Sequence, residues 1–177
     1  MKTEPDRRPA RLLRALLVLI AAAQTAHYYP LLPATLATHF NGRGEPNGWF
    51  SKQAFFELCW GLFLLTLLLP YWATRLIARL PSIGNIPNRE YWFSGERRQE
   101  TLDFIRDRMG RFAGVTLAFL MGTFELVFRA NLNPLGGFSS SAQYGLLVAY
   151  LLFVLRWLFR FEAKFGEIAP PVRPPRS

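Results

Sequence analysis

His27, His39, Glu57 and Glu125 are side chains of the types that bind zinc or exchange protons, and His27 and His39 are the only two histidines in the chain. The four come from separate segments without a recognised ligand spacing, so a metal centre or an acid–base site would need the fold to bring them together. Gln24 stands three residues before His27, and Glu125 stands one helical turn before Arg129, where the two can neutralise each other. Together with Asn41 and the cation of Lys52, these groups suit a second chemistry, the recognition of a ligand. The candidate binding set is therefore His39, Asn41, Lys52, His27, Glu57 and Glu125. No metalloprotease His-Glu-x-x-His, phosphate-binding Gly-rich loop with Lys, nucleophile-elbow serine or paired-cysteine motif occurs. Ser139, Ser140 and Ser141, after Gly136 and Gly137, read as a turn that opens a helix. Cys59 is the single cysteine, which excludes an intramolecular disulfide and suits a buried thiol. No catalytic residue and no cofactor is assigned, and metal binding stays open.

The elements that must position these groups are apolar. Runs at about 12–32, 54–80, 112–132 and 138–161 each approach the ~20 residues that cross a bilayer core as a helix. This predicts an all-α integral membrane protein with four transmembrane helices, one membrane domain over residues 1–177, an outer loop at 33–53 and a cytoplasmic loop at 81–111. Of 21 Lys and Arg, only Arg43, Lys52 and Arg129 fall on one side. The other eighteen precede or begin the first span, run from Arg75 to Arg111, or run from Arg156 onward. Short cytoplasmic loops retain Lys and Arg, so both termini are expected inside, and the histidine-bearing loop outside. The net charge of +9 then lies beside membrane borders, where anionic lipid heads neutralise it; no nucleic-acid partner is expected.

Several details refine this reading. Basic residues before Ala21, Ala22 and Ala23 resemble a secretory signal, but the apolar segment continues through His27 to Pro33, which fits an uncleaved anchor. Tyr28, Tyr29, Trp49, Phe50, Tyr71, Trp72 and Trp157 suit an interfacial aromatic belt. Pro70 inside the second span frees the carbonyl of Thr66 and predicts a bend. Gly110, Gly114, Ala118 and Gly122 recur every four residues and predict a ridge for close helix packing. Leu102, Ile105, Met109 and Phe112 fall at helical spacing among charges, which predicts an interfacial amphipathic helix that turns into the third span. Ser94 is its expected cap, and Glu96 suits its first turn. The proline-rich end, 169–177, reads as a mobile tail.

The loop from Pro30 to Lys52 is the most patterned stretch. Gly42, Gly44 and Gly48 permit unusual backbone angles while Pro33 and Pro46 restrict it, which predicts a compact, turn-rich structure. The run His39-Phe40-Asn41, then Gly44, Pro46, Gly48 and Ser51-Lys52, following Leu32-Pro33, resembles the signature of a bacterial membrane domain of unknown function found in sporulation-delaying-toxin immunity proteins, the SdpI-like family. Ile86-Pro87-Asn88-Arg89-Glu90-Tyr91-Trp92 is similar to that family's following cytoplasmic segment. The resemblance implies a small multi-pass protein of the bacterial inner membrane. In the immunity protein it implies protection against a secreted toxin and capture of a repressor at the membrane.

Three functional classes follow. In the preferred one, the outer loop recognises an extracytoplasmic peptide, lipid or protein, in an immunity or signalling role. In the second, the chain is an accessory subunit that packs through the Gly110–Gly122 ridge against a larger membrane complex or a second copy. The third is a membrane enzyme or metal protein built on the histidines and glutamates.

Overall fold

The computed structural model describes residues 8–80, 86–95, 97–133 and 137–166. Glu96 and the tail at 169–177 lie outside the described residues. Helix α1 spans Arg8–Tyr28, strands β1 and β2 span Thr35–Phe40 and Pro46–Ser51, and helices α2, α3, α4 and α5 span Lys52–Arg79, Arg89–Trp92, Arg97–Leu132 and Ser140–Gly166. Three of these, α2, α4 and α5, are long and apolar enough to cross a membrane.

The first apolar run is helical only to Tyr28. Tyr29 precedes Pro30, whose ring disfavours helical angles at the residue before it, and the chain turns through Leu32 N–H to Tyr28 C=O at 3.1 Å. The apolar part of α1, Leu12–Tyr28, is about 26 Å long at the helical rise, shorter than the expected 12–32 span.

The expectation of an all-α chain needs correction, because the loop at 33–53 holds an antiparallel β-hairpin. Its register pairs Thr35 with Ser51, Leu36 with Phe50, Ala37 with Trp49, His39 with Gly48 and Phe40 with Pro46, with irregularities around His39. Asn41 closes the turn: its Oδ1 accepts the N–H groups of Arg43 at 2.9 Å and Glu45 at 3.0 Å. Ser51 then caps α2 by accepting from Ala54 N–H. Through Pro70 the helix α2 runs without interruption, and Thr74 Oγ1 donates to the Pro70 carbonyl at 2.6 Å.

A second correction concerns the segment before the third span. Arg97–Leu132 is one helix of 36 residues, about 54 Å long, so the amphipathic part continues the axis of the span and does not turn along the interface. Both parts share the 3.6-residue period, and no proline divides them. The Ser94 hydroxyl donates to the Tyr91 carbonyl at 3.0 Å, and its own carbonyl accepts the Arg97 N–H at 3.2 Å.

Packing concentrates in two clusters. The larger joins α1, β1, α2 and α4 through Ala21, Leu36, Phe55, Phe56, Phe63, Leu117, Phe124 and Phe128, with Phe56 stacked on Phe128 at 5.3 Å. Where lipid tails are as apolar as the side chains, such contacts hold helices through close packing. The smaller cluster gathers Ile86, Ile105 and Phe165, with Trp92, Phe104 and Phe161 against them, at the opposite end of α4. Helix α5 packs mainly on α4, with its C-terminal end against Trp92 of α3, and in its span window no residue is buried.

Candidate functional site

Glu125 is the centre of a polar knot between α1 and α4. Its carboxylate accepts the Tyr28 hydroxyl at 2.6 Å, Gln24 Nε2 at 2.8 Å and Arg129 Nε at 2.7 Å. Gln24 Nε2 also reaches the Met121 carbonyl at 3.2 Å. Three donors from two helices thus satisfy one carboxylate toward the hairpin end of the bundle, as costly polar groups within apolar helices require. The Arg129 side chain is 72 % exposed.

Lys52 and Asn41 serve the frame that carries the hairpin. Lys52 Nζ donates to the carbonyls of Tyr29 at 3.1 Å and Leu32 at 2.9 Å, and lies over the Tyr29 ring at 4.9 Å. A cation there meets the carbonyl-rich end of α1 and the turn that follows it. Asn41 Nδ2 adds a bond to Glu45 at 2.7 Å, completing the turn.

The remaining expected site residues stand apart. His39 is exposed and its Nδ1 bonds Asn47 Oδ1. His27 is exposed, with its ring edge against Tyr28. Glu57 is exposed past the first turn of α2, where it accepts from Gln53 at 2.9 Å. The structure therefore brings Glu125 together with Gln24, Tyr28 and Arg129, and leaves His39, Lys52 and Glu57 in separate surroundings. Among the described residues, no three His, Cys, Asp or Glu side chains are placed to hold one metal ion.

Nor do the four small residues of α4 share one contact. A Cβ on Gly110 would face the Arg14 guanidinium at 3.8 Å, and one on Gly122 would meet Leu146 at 3.0 Å. Gly114 is buried with nothing within 4 Å of such an atom, and Ala118 is exposed.

Asn131 was not foreseen from the sequence, yet it fastens the hairpin to the bundle. Its Oδ1 accepts the Ala37 N–H and its Nδ2 donates to the Ala37 carbonyl, both at 2.8 Å. The signal was an amide at the helical step that continues Phe124, Val127 and Phe128, three buried residues. Since both backbone groups of Ala37 point away from β2, the opposed Trp49 is in a non-hydrogen-bonded pair, and its own N–H and C=O point to the outer edge of β2. Trp49 is also 57 % exposed. Gly44 completes the mounting: at φ +83° it approaches Phe138, whose carbonyl oxygen lies 2.5 Å from where a Cβ would sit, while Phe40 stacks on the Phe138 ring at 4.3 Å.

The profile of a family described as a domain of unknown function (DUF1648) matches residues 16–69, which hold most of α1, the whole hairpin and the larger part of α2. No curated protein and no solved structure matches the chain. The match and the long apolar helices make this a polytopic membrane protein that carries a membrane-type domain of unknown function.

Proposed function

We propose that the hairpin is a recognition element for an extracytoplasmic peptide, lipid or protein, in an immunity- or signalling-type protein of the bacterial inner membrane. In this reading α1 is a fourth span, both termini are cytoplasmic, residues 1–177 form one membrane domain, and the hairpin faces outward. The charge asymmetry supports that orientation, and the resemblance to the SdpI-like family supports the role. The observation that carries the reading is the mounting of the hairpin. Lys52, Asn131, Gly44 and Phe40 fix its base and one edge, while His39, Trp49 and the outer edge of β2 remain open. A connector has no need of such pre-organisation, whereas a binding surface loses less entropy on binding when already fixed.

Because Asn41 and Lys52 hold the frame, the test uses the exposed pair. His39→Ala with Trp49→Ala should reduce protection of cells against a secreted peptide toxin at unchanged protein level. Full protection by the double variant, or none by the parent chain, would remove the immunity reading. Orientation is tested separately in a Cys59→Ser background, by labelling Arg43→Cys and Gln99→Cys with a membrane-impermeant maleimide in intact cells. Labelling at 99 without labelling at 43 would reverse the topology.

A second reading, an accessory subunit of a larger complex, is favoured by the uneven small-residue face of α4. The exposed Ala118 leaves room on this face for a helix from outside the chain. Ala118→Leu should then release the protein from that complex without unfolding it; co-purification unchanged by the substitution would argue against this role.

A further inference from the structure

Helices α4 and α5 run beyond the thickness of a bilayer at the same end. From the short connection between them, about 20 residues of each cross a core of roughly 30 Å. On that count the far border lies near Phe112 on α4 and near Phe159 on α5. Arg108 and Lys164 are each four or five residues past it, about 6–8 Å, which is the depth of the lipid headgroups.

Both cations are seated on aromatic rings. The Arg108 guanidinium lies 5.2 Å from the centre of the Phe104 ring, and the Lys164 ammonium 4.8 Å from that of Trp92. Phe165 joins the two rings, 5.7 Å from Trp92 and 5.8 Å from Phe104. Trp157 Nε1 donates to the Arg108 carbonyl at 3.0 Å and ties the two helices together at this level. A ring face attracts a cation through its quadrupole without cancelling its charge.

Their neighbours on α4 differ. Arg106 pairs with Asp103 at 3.8 Å and Arg111 with Asp107 at 3.0 Å. Among the described residues, no carboxylate pairs with Arg108 or Lys164. Two positioned cations at headgroup depth, with no carboxylate partner among the described residues, suit an anion from outside the chain.

We propose that Arg108 and Lys164 bind the phosphate of an anionic glycerophospholipid, with Phe104 and Trp92 as the seats that aim them. The unburied apolar span of α5 offers the surface for its acyl chains. A zwitterionic lipid fits less well, because its own ammonium competes for the phosphate. The assignment is independent of which side of the membrane the basic end faces.

Native mass spectrometry of the full chain, released from nanodiscs of equal phosphatidylglycerol and phosphatidylcholine, tests this. Phosphatidylglycerol should be retained preferentially, and each of Arg108→Gln and Lys164→Gln should cut that preference about fivefold. The control Arg106→Gln/Arg111→Gln removes two charges, one more than either single, and should leave it within about twofold of the parent. The singles, read separately, keep the test open if the combined Arg108→Gln/Lys164→Gln variant does not fold. Equal retention of both lipids by the parent chain, an unchanged preference in both singles, or an equal loss in the control would overturn the proposal. Displacement of the lipid by inorganic phosphate at constant ionic strength would assign the site to a soluble anion and overturn the lipid source.

Discussion

Asn131 holds Ala37 as a neighbouring strand would, accepting its N–H and donating to its carbonyl at 2.8 Å each. One helix side chain thereby takes the place of a third strand at the β1 edge. Asn131→Ala leaves both backbone groups without that partner, at a cost of roughly 1–3 kcal/mol. Hydrogen exchange in detergent should speed up across residues 35–51 while the α2–α4 contact keeps its protection. Unaltered exchange at Ala37 would show that the amide does not hold the hairpin.

Gly44 and Gly42 occupy the same turn but should respond oppositely to an added methyl. At Gly44 the positive φ costs a side chain about 1–2 kcal/mol, and the Phe138 carbonyl blocks the new atom. At Gly42 the nearest contact is the Tyr144 hydroxyl at 3.6 Å, an ordinary separation. Gly44→Ala should lower the thermal midpoint and Gly42→Ala should leave it within a degree or two. Similar midpoints for both variants would remove the steric account.

Replacing Glu125 by Leu orphans donors on two helices. Tyr28 and Gln24 lose their shared acceptor, and each partly buried donor left unpaired costs on the order of 1–3 kcal/mol. Glu125→Gln keeps an acceptor oxygen and should lie between Leu and the parent chain. Unfolding in detergent, followed by tyrosine fluorescence, gives the order; a Gln variant less stable than the Leu variant would contradict the knot described for this carboxylate.

Lys52→Met should loosen the turn after α1, since two carbonyls lose their donor. The expected loss is about 0.5–1.5 kcal/mol, with faster exchange at residues 29–34. If ligand response disappears while that exchange stays at parent values, Lys52 acts on the ligand directly and the framing role fails.

Long apolar runs made α2, α4 and α5 legible, because length and hydropathy alone decide whether a helix can cross a bilayer. The hairpin was legible only as a turn. Leu36 is fully buried while the exposed residues near it, Trp49 and Phe50, are just as apolar, so alternation gave no strand signal, and the glycines and prolines pointed to compactness alone. The unbroken α4 was hidden for another reason: polar and apolar halves suggested two environments, although neither contains a residue that ends a helix. Among the candidate groups, the Glu125–Arg129 pair followed from spacing. The positions of His39, Lys52 and Glu57 did not, since separation along the chain says nothing about which backbone carbonyls or amides lie nearby.

The uninterrupted length of α4 links its two ends mechanically. Asn131 grips the hairpin at one end, and Thr101, bonded to the Trp92 carbonyl at 2.8 Å, sits in the aromatic cluster at the other. A rod of about 54 Å that pivots by ~5° near its middle swings each end by ~2 Å in opposite directions. A displacement of the hairpin that tilts α4 would therefore also move the aromatic cluster, with no proline or break between Arg97 and Leu132 to absorb it.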